Sequence, residues 1–391
     1  MPVDSSSAKL RVAIVHDWLD TWRGGENTLA EILGVFPRAD LYALVDFLSA
    51  DDRSRLLGKR AQVSFLQRIP GAARKFRVLL PLFPRAIESL DVSDYDLVIS
   101  VSHAVAKGVR THARQLHICY CLTPMRYVWD MRERYLASVG AQNGMRRVFA
   151  DKILDRLRQW DLDASVRVNG FIAISDSIRE RILRCYGRKA TVIHPPVDVE
   201  YFTPGAGSST AAYVTASHWV AYKRIDLIVE AFRSMPERQL IVAGPGPEMS
   251  RAREASGANV EFVGEVSRER LREILRAARA FVFAAEEDFG IAPLEAQACG
   301  KPVIAYQRGG VGETVRGLDA LQPTGVLFSE QTARSLRDAL IAFEQNAARI
   351  TPEACRANAQ RFGRDLFRRR FAEHVSGMID EFNGSPRAAA C

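Results

Sequence analysis

Two successive series of alternating strands and helices constrain the fold of this 391-residue chain more than any other feature. In the first series, short apolar runs at residues 11–15, 96–102 and 115–121 predict buried strands. The alternation stops at residues 195–209, which are rich in Pro, Gly and Ser, and it restarts at residue 212. Strands that alternate with helices favour parallel sheets, so the sequence predicts an α/β fold with two doubly wound, Rossmann-like domains.

The break in the pattern also predicts the domain limits. An N-terminal domain covers residues 1–195, a linker follows at residues 196–210, and a C-terminal domain covers residues 211–365. A basic amphipathic helix at about residues 366–391 is a candidate to pack back on the N-terminal domain. Ligands of such sheets lie beyond the carboxyl ends of the strands, so two facing sheets would form a cleft between the domains.

Composition narrows the cellular setting. No apolar run reaches the roughly 18 residues of a membrane span, and the first nine residues lack the apolar stretch of a signal peptide, so we expect a cytoplasmic protein. Six cysteines in so long a chain do not indicate a disulfide scaffold. Cys119 and Cys121 lie in an apolar run without a second pair at zinc spacing, which favours strand residues over metal ligands.

The segment from Ser64 to Ile87 combines positive charge with apolar residues. It contains no acid, and its cations are Arg68, Arg74, Lys75, Arg77 and Arg85. This combination fits a surface that touches anionic lipid at the inner face of the cytoplasmic membrane. A solvated basic face over an ordinary core explains it equally well. A nucleic-acid partner is not expected, because no known binding motif accompanies the charge.

The segment from Glu287 to Gly300 carries the clearest chemical signal. It follows an apolar run at residues 280–285 that predicts a buried strand, and it enters a helix with Pro293 in the first turn. Glu287 and Glu295 lie eight positions apart, with a Gly and the start of a helix between them. Amides at a helix start bind phosphate and carboxylates accept hydrogen bonds from hydroxyls, so the pattern indicates a phosphorylated, polyhydroxylated ligand.

Four further motifs accompany this segment along the chain. They are Gly24-Gly25, Tyr222-Lys223-Arg224-Ile225-Asp226, residues 244–248 and residues 309–315. Together with the Glu287 to Glu295 spacing, they resemble the family 4 retaining glycosyltransferases, which have the GT-B fold. Residues 123–130 and 287–291 are similar to one subgroup, the bacterial mannosyltransferases of O-antigen and exopolysaccharide assembly.

The resemblance implies a nucleotide-sugar donor site in the C-terminal domain. Glu287 would contact hydroxyls of the donor sugar, Glu295 the nucleotide ribose, and Lys223 the diphosphate of the leaving nucleotide. Backbone N–H groups of residues 289–291 would face the sugar or phosphate. The full set of predicted donor-binding residues is Gly24, Gly25, His218, Lys223, Arg224, Phe289, Gly290, Ile291 and Glu295.

Catalytic and acceptor roles are implied mainly in the N-terminal domain. His103 follows a predicted strand, where the family often carries a His near the reacting sugar carbon. It is therefore a catalytic candidate beside Glu287 and Lys223. The predicted acceptor-binding residues are His16, Asp17, Arg126 and Tyr127.

Two positions depart from the family pattern. His218 stands where the family usually has an Arg, and an imidazole supplies less charge to a diphosphate than a guanidinium does. Arg224 is a candidate substitute. Leu122 stands where the subgroup often has a His, which affects the expected acceptor contacts.

Simpler structural interpretations stay open for three of these motifs. Glu295 would then be a helix-capping acid at position N3, Lys223-Arg224 a solvated helix start, and Gly24-Gly25 an ordinary tight turn.

The resulting functional hypothesis is a retaining glycosyltransferase that moves a hexose to a lipid-linked saccharide acceptor. The subgroup resemblance implies mannose as the sugar and GDP-mannose as the donor. No metal or cofactor is expected, because Lys223 and helix starts would bind the diphosphate. A nucleotide-sugar epimerase on the same fold and a non-catalytic carbohydrate-binding subunit are the alternatives.

Overall fold

The chain folds into two compact units, which we describe separately. The computed structural model describes residues 10–207, 210–246 and 249–384, apart from the side chains of Arg74, Lys75 and Ser138. The N-terminal unit comprises Met1–His194 and Phe367–Cys391, and the C-terminal unit comprises Pro195–Leu366. Parts of the predicted linker and terminal helix, residues 208–209 and 385–391, lie outside the described residues.

A seven-stranded parallel sheet forms the centre of the N-terminal unit. Its strand order is β3-β2-β1-β4-β5-β6-β7. The strands are β1 (Val12–His16), β2 (Asp40–Ala43), β3 (Gln62–Val63), β4 (Leu97–Ser102), β5 (Leu116–Cys121), β6 (Gly170–Ala173) and β7 (Ala190–Val192).

Helices flank this sheet. They are α1 (Gly24–Val35), α2 (Ala50–Ser54), α3 (Ala72–Lys75), α4 (Phe83–Glu88), α5 (Arg132–Ser138), α6 (Gly144–Val166) and α7 (Asp176–Tyr186), with 3-10 helices at Phe65–Arg68, Phe76–Leu82 and Ala106–Gly108. The sequence sets the limits of α7 clearly. The Ser175 side chain accepts a hydrogen bond from the Ile178 N–H at its start, and Gly187 ends it with a left-handed φ of 65°.

The C-terminal unit contains a six-stranded parallel sheet of order β10-β9-β8-β11-β12-β13. Its strands are β8 (Tyr213–Ala216), β9 (Leu240–Ala243), β10 (Val260–Gly264), β11 (Ala280–Phe283), β12 (Val303–Tyr306) and β13 (Gly325–Phe328). Its helices are α8 (Ile225–Arg233), α9 (Met249–Glu254), α10 (Arg268–Ala277), α11 (Ile291–Ala298), α12 (Val311–Thr314), α13 (Ala333–Asn346) and α14 (Pro352–Gln360), with 3-10 helices at Ala221–Lys223 and Ala347–Arg349.

The last helix, α15 (Arg364–Gly384), brings aromatic residues to the N-terminal unit. Phe367 and Phe371 stack on each other with ring centroids 5.6 Å apart, and both are buried. Each meets the ring of Tyr120 in β5, at 5.8 Å and 6.0 Å. The apolar stripe predicted for this segment thus packs against the ring of Tyr120, on an interior strand of the sheet.

These sheets confirm the predicted α/β architecture with two parallel-sheet units. Strands β2 and β3 were not predicted, because both are short and β3 has no buried residue. Helix α1 begins at Gly24, which already has helical geometry. Thr351 and Pro352 start α14 as a helix separate from α13.

The structure shows where two cysteines lie and whether any described helix could span a membrane. Cys119 and Cys121 are buried residues of β5, as predicted for strand residues. Among the helices of residues 10–207, 210–246 and 249–384, we find none with the length and apolar character needed to cross a bilayer.

A buried ion pair joins the loop after β4 to α6. Lys107 and Asp161 are almost completely buried and pair through Nζ and Oδ1. Asp161 also accepts hydrogen bonds from Trp129 Nε1 at 2.8 Å and from the Tyr186 hydroxyl at 2.7 Å. Lys107 Nζ also donates to the Ala104 carbonyl at 3.1 Å. Although burial opposes its charge, the Asp161 carboxylate raises the pKa of Lys107.

We expect Asp161→Asn to lower the free energy of unfolding by about 3–5 kcal/mol, because it leaves the buried Lys107 ammonium without a counter-charge. Denaturant unfolding followed by circular dichroism measures the loss. Asp163→Asn is the matched control, since Asp163 is exposed on the same helix. Equal stability of the two variants would contradict the importance of this ion pair.

Candidate functional site

Each sheet has one point where the strand order reverses. In the N-terminal unit this point lies between β1 and β4, and in the C-terminal unit between β8 and β11. Open parallel sheets bind ligands beyond the carboxyl ends of the strands at such points. The predicted site residues cluster at both.

Asp17 organises the carboxyl end of the first sheet. It follows β1 and is fully buried. Its two carboxylate oxygens accept hydrogen bonds from four consecutive backbone N–H groups of the loop after β4. The donors are His103 (2.6 Å), Ala104 (3.0 Å), Val105 (2.5 Å) and Ala106 (2.7 Å). Although burial disfavours its charge, the His103 side chain and these donors hold the pKa of Asp17 below its usual range.

His103 is the most accessible polar group of this cluster. Its Nδ1 lies 2.9 Å from the Asp17 carboxylate, and 29% of its side chain is exposed. Its ring meets Trp18 edge-on, with centroids 4.4 Å apart. Burial opposes protonation, but the Asp17 charge and hydrogen bond raise the pKa of His103. The geometry therefore favours an imidazolium that can donate a hydrogen bond from Nε2.

His16 connects the same strand end to the start of α1. Its Nε2 lies 3.3 Å from Glu26 Oε1, and Glu26 Oε2 accepts the Arg23 N–H at 2.8 Å. Burial disfavours the charge of Glu26, but the His16 side chain lowers the pKa of Glu26. Gly24 and Gly25 are the first two residues of α1. They begin a helix, so the alternative of an ordinary tight turn was wrong.

Leu122 explains why residue 25 is small. A Cβ atom at Gly25 would lie 3.1 Å from Leu122 Cδ1 and 3.8 Å from His16 Cε1. The departure at position 122 thus produces an apolar contact with the start of α1.

Of the predicted acceptor-binding residues, His16 and Asp17 are fully buried. Neither side chain therefore offers a surface for direct contact with an acceptor, which argues against the predicted role of both. Arg126 and Tyr127 are half-buried on the loop after β5. Tyr127 packs on Tyr135 with ring centroids 5.5 Å apart.

In the C-terminal unit, Lys223 forms an ion pair with Glu287. Lys223 ends the 3-10 helix that follows β8, and Glu287 lies in the loop after β11. Lys223 Nζ lies 5.3 Å from the Tyr222 ring centre and 5.7 Å from that of Phe283. The alternative of a solvated helix start was therefore wrong for Lys223, whose ammonium is largely covered.

Two glycines hold the loop of Glu287 in place. Glu287 and Gly309 form a parallel bridge, and the Gly310 N–H donates to the Glu287 carbonyl at 2.8 Å. Gly309 has a φ of 79°, and a Cβ atom there would lie 2.1 Å from that carbonyl oxygen. Gly290, with a φ of 90°, then allows the turn into α11. Phe289 is buried against Phe362, with ring centroids 5.7 Å apart.

A cavity of about 260 Å³ opens at the switch point of this second sheet. Its walls come from the ends of β8 and β9, from β11, from the loop after β10 and from α10 and α11. They consist of Ala216, Ser217, Ala243, Gly244, Pro245, Glu265, Val266, Leu271, Leu275, Phe281, Ala292 and Glu295. The backbone at Gly244 lies very close to the Ser217 backbone in the cavity wall. A side chain does not fit there, because a Cβ atom at residue 244 would lie 1.9 Å from the Ser217 carbonyl oxygen. Pro247 and Glu248 of the same motif lie outside the described residues.

Glu295 faces this cavity as a partly buried acid. It is the fifth residue of α11, so the alternative of a helix cap at N3 was wrong. Within the described part of the chain, its carboxylate has no hydrogen-bond or ion-pair partner. Burial raises the pKa of Glu295 to about 7, and the Arg268 charge only partly opposes this. A hydroxyl ligand would satisfy this carboxylate.

Three predicted donor residues remain. Ile291 is the first residue of α11, and Arg224 and His218 differ in placement. Arg224 adopts a φ of 53° at the start of α8. Its guanidinium donates hydrogen bonds to Gln331 Oε1 and Asp226 Oδ1, both at 3.2 Å. Gln331 in turn donates to the Ala284 carbonyl at 2.8 Å. His218 is exposed and does not line the cavity.

Sequence reasoning missed Gln331 and Ser217. Ser217 lines the cavity, and its buried Oγ has no partner among the described residues. Its place directly after β8 was the available signal. No group of three or more His, Cys, Asp or Glu side chains that is suited to a metal ion occurs in the parts of the chain that the structure covers.

The sequence of the C-terminal unit is similar to the sequences of known glycosyltransferases. Residues 206–362 match the family model described as glycosyl transferases group 1. A D-inositol 3-phosphate glycosyltransferase of Mycolicibacterium smegmatis is 29% identical over 189 residues, which are 43% of this chain and 42% of the relative. A GDP-mannose-dependent monoacylated alpha-(1-6)-phosphatidylinositol monomannoside mannosyltransferase of Corynebacterium glutamicum is 29% identical over 218 residues, or 46% and 57% of the two chains. The chain thus spans about half the length of these curated relatives.

Solved structures extend the similarity of fold to both units. HepE of Anabaena, in complex with UDP, superposes with a TM-score of 0.69 at 16% identity, covering 94% of this chain and all of the other. Sucrose-phosphate synthase of Thermosynechococcus elongatus gives 0.67 at 19% identity, covering 95% of this chain and 100% of the other. The fold is therefore GT-B, and its C-terminal unit carries the sequence pattern of glycosyl transferases group 1.

We expect Glu295→Gln to stabilise the protein at pH 8 but not at pH 4. A carboxyl group whose pKa is about 7 in the folded state and 4.5 when unfolded lowers stability as pH rises through that range. The partly exposed position reduces the effect to on the order of 1 kcal/mol.

Scanning calorimetry at both pH values measures this difference. Glu286→Gln is the control, because Glu286 is an exposed neighbour in the same region. A stabilisation that does not change with pH would argue against the raised pKa.

Proposed function

We propose that the protein is a retaining glycosyltransferase that uses a nucleotide-sugar donor. The observation that carries the proposal is the unpaired Glu295 carboxylate in the cavity at the switch point of the C-terminal sheet. The match of residues 206–362 to glycosyl transferases group 1 supports it.

Donor binding follows from the chemistry of the second unit. The vicinal hydroxyls of a ribose offer two donors to the Glu295 carboxylate. The Lys223 ammonium carries three donors, so it can bind a diphosphate oxygen while it stays paired with Glu287. The start of α11 adds a positive dipole end near Phe289, Gly290 and Ile291. Glu287 has a second oxygen for hydroxyls of the transferred sugar.

The proposed reaction exchanges one bond at the anomeric carbon of the sugar. The bond to the diphosphate oxygen breaks, and a bond to an acceptor hydroxyl oxygen forms on the same face. The acceptor proton passes to the leaving diphosphate. Lys223 stabilises the charge that develops on that group. We assign His103 to a hydrogen bond with a sugar hydroxyl, because the Asp17 carboxylate favours its protonated form.

The finer assignment is transfer of mannose from GDP-mannose to a lipid-linked saccharide. The similarity to the GDP-mannose-dependent mannosyltransferase of Corynebacterium glutamicum supports this donor. Arg126 and Tyr127 are the acceptor-side candidates that keep exposed surface. We further propose action without a metal, since Lys223 and the helix start supply the positive charge, and a cytoplasmic location at the inner membrane face.

We expect Lys223→Ala and Glu295→Ala each to weaken binding of GDP-mannose at least about tenfold, because each removes a charged contact to the donor. Isothermal titration calorimetry measures the dissociation constants. Glu286→Ala, at an exposed neighbour of the ion pair, should bind like the wild type. Unchanged affinity in both site variants would refute the proposed donor site.

Product analysis with GDP-mannose, UDP-glucose and UDP-N-acetylglucosamine, offered separately, tests the sugar. We expect turnover with GDP-mannose in the presence of a lipid-linked acceptor. Turnover with a uridine donor alone would remove the mannose assignment but keep the glycosyltransferase. Conversion of the donor without any acceptor would indicate an epimerase instead.

A further inference from the structure

The first turns of α6 carry large apolar side chains on the face opposite the core. The helix buries Leu154 and Leu157 against the N-terminal unit. Met145, Val148 and Phe149, at positions i, i+3 and i+4, are 84%, 51% and 69% exposed. At 100° per residue these three form one stripe, and that stripe points away from the buried one.

Cations continue the same stripe. Lys152 and Arg156 follow Phe149 at helical spacing and are exposed. Within the described chain, neither has an ion-pair partner. We call the set Met145, Val148, Phe149, Lys152 and Arg156 the α6 surface.

The acids near the α6 surface are already neutralised. Arg147 pairs with Glu133 at 2.6 Å, and Arg132 pairs with Asp151 at 2.7 Å and with Asp155 at 2.6 Å. Residues 132–156 contain six basic and three acidic residues, which leave a net charge of +3. The unpaired charge at the surface is therefore positive.

We propose that the α6 surface docks on an anionic lipid bilayer. An exposed apolar stripe flanked by unpaired Lys and Arg is the pattern of a helix that lies in the membrane interface. Its aromatic and aliphatic side chains enter the acyl boundary, and its cations meet anionic headgroups. The charge selects this occupant, because an apolar protein partner would leave Lys152 and Arg156 without counter-charges. The inference stands on these residues and does not require the proposed glycosyl transfer.

This surface differs from the basic segment that the sequence pointed to first. In residues 64–87, Leu66, Phe76, Leu80 and Phe83 are buried core residues. Arg77 there is paired with Asp20. The exposed apolar residues of that segment, Phe65, Val78 and Leu82, lie on two separate 3-10 helices, whereas Met145, Val148 and Phe149 form one stripe on a single α-helix.

Co-sedimentation of the full chain with vesicles of phosphatidylglycerol and phosphatidylcholine tests the proposal. We expect binding to these vesicles and little binding to phosphatidylcholine alone. Met145→Ser/Val148→Ser/Phe149→Ser should lower the partition coefficient at least about tenfold. Lys152→Gln/Arg156→Gln should weaken binding and flatten its dependence on salt.

Leu321→Ser is the matched control, because Leu321 is 99% exposed in the C-terminal unit and should bind vesicles like the wild type. Thermal melts check that the exposed substitutions leave the fold intact. Absence of wild-type binding to the anionic vesicles, or wild-type binding by the triple Ser variant, would overturn the proposal. A dimer in sedimentation velocity that the triple Ser variant converts to a monomer would assign the face to a second copy instead.

Discussion

The carboxylate of Asp17 is the interaction on which the N-terminal site depends. A buried charge is stable only if hydrogen bonds satisfy it, and here four successive backbone N–H groups do so. Those bonds fix the loop after β4, and the same carboxylate orients the His103 ring. The Lys107–Asp161 pair secures the next residues of that loop from the side of α6. One strand end therefore determines the position and the charge state of the exposed imidazole.

At the switch point of its sheet, the C-terminal unit carries two acids in place of one buried carboxylate. Its two acids experience opposite environments, since Glu287 is neutralised by Lys223, while Glu295 faces a cavity and has no ion-pair partner among the described residues. Close backbone contact between Gly309 and the Glu287 carbonyl holds the loop that separates them. The proposed nucleotide-sugar donor would place ribose hydroxyls at Glu295 and its diphosphate at Lys223, so it would satisfy both environments.

The sequence was informative where local patterns determine structure. The apolar run at residues 280–285, the Gly and Pro after it, and the spacing of Glu287 and Glu295 predicted a strand, a loop and a helix in the right order. It was uninformative where partners are distant in the chain. The donors to Asp17 lie 86 to 89 residues later, so its burial could not be inferred from its neighbours. The same holds for the pairing of Lys223 with Glu287. Periodicity also failed for β3, whose two residues are both exposed.

The division of the N-terminal unit into two stretches of chain affects its synthesis. Phe367 and Phe371 belong to its core beside Tyr120, yet the ribosome makes them after the whole C-terminal unit. While translation proceeds from the N-terminus, the apolar surface around Tyr120 stays uncovered until the final helix emerges. The middle of the chain can complete its own fold earlier. Nascent chains that stop before residue 367 would therefore expose the apolar surface around Tyr120, the kind of surface that chaperones bind.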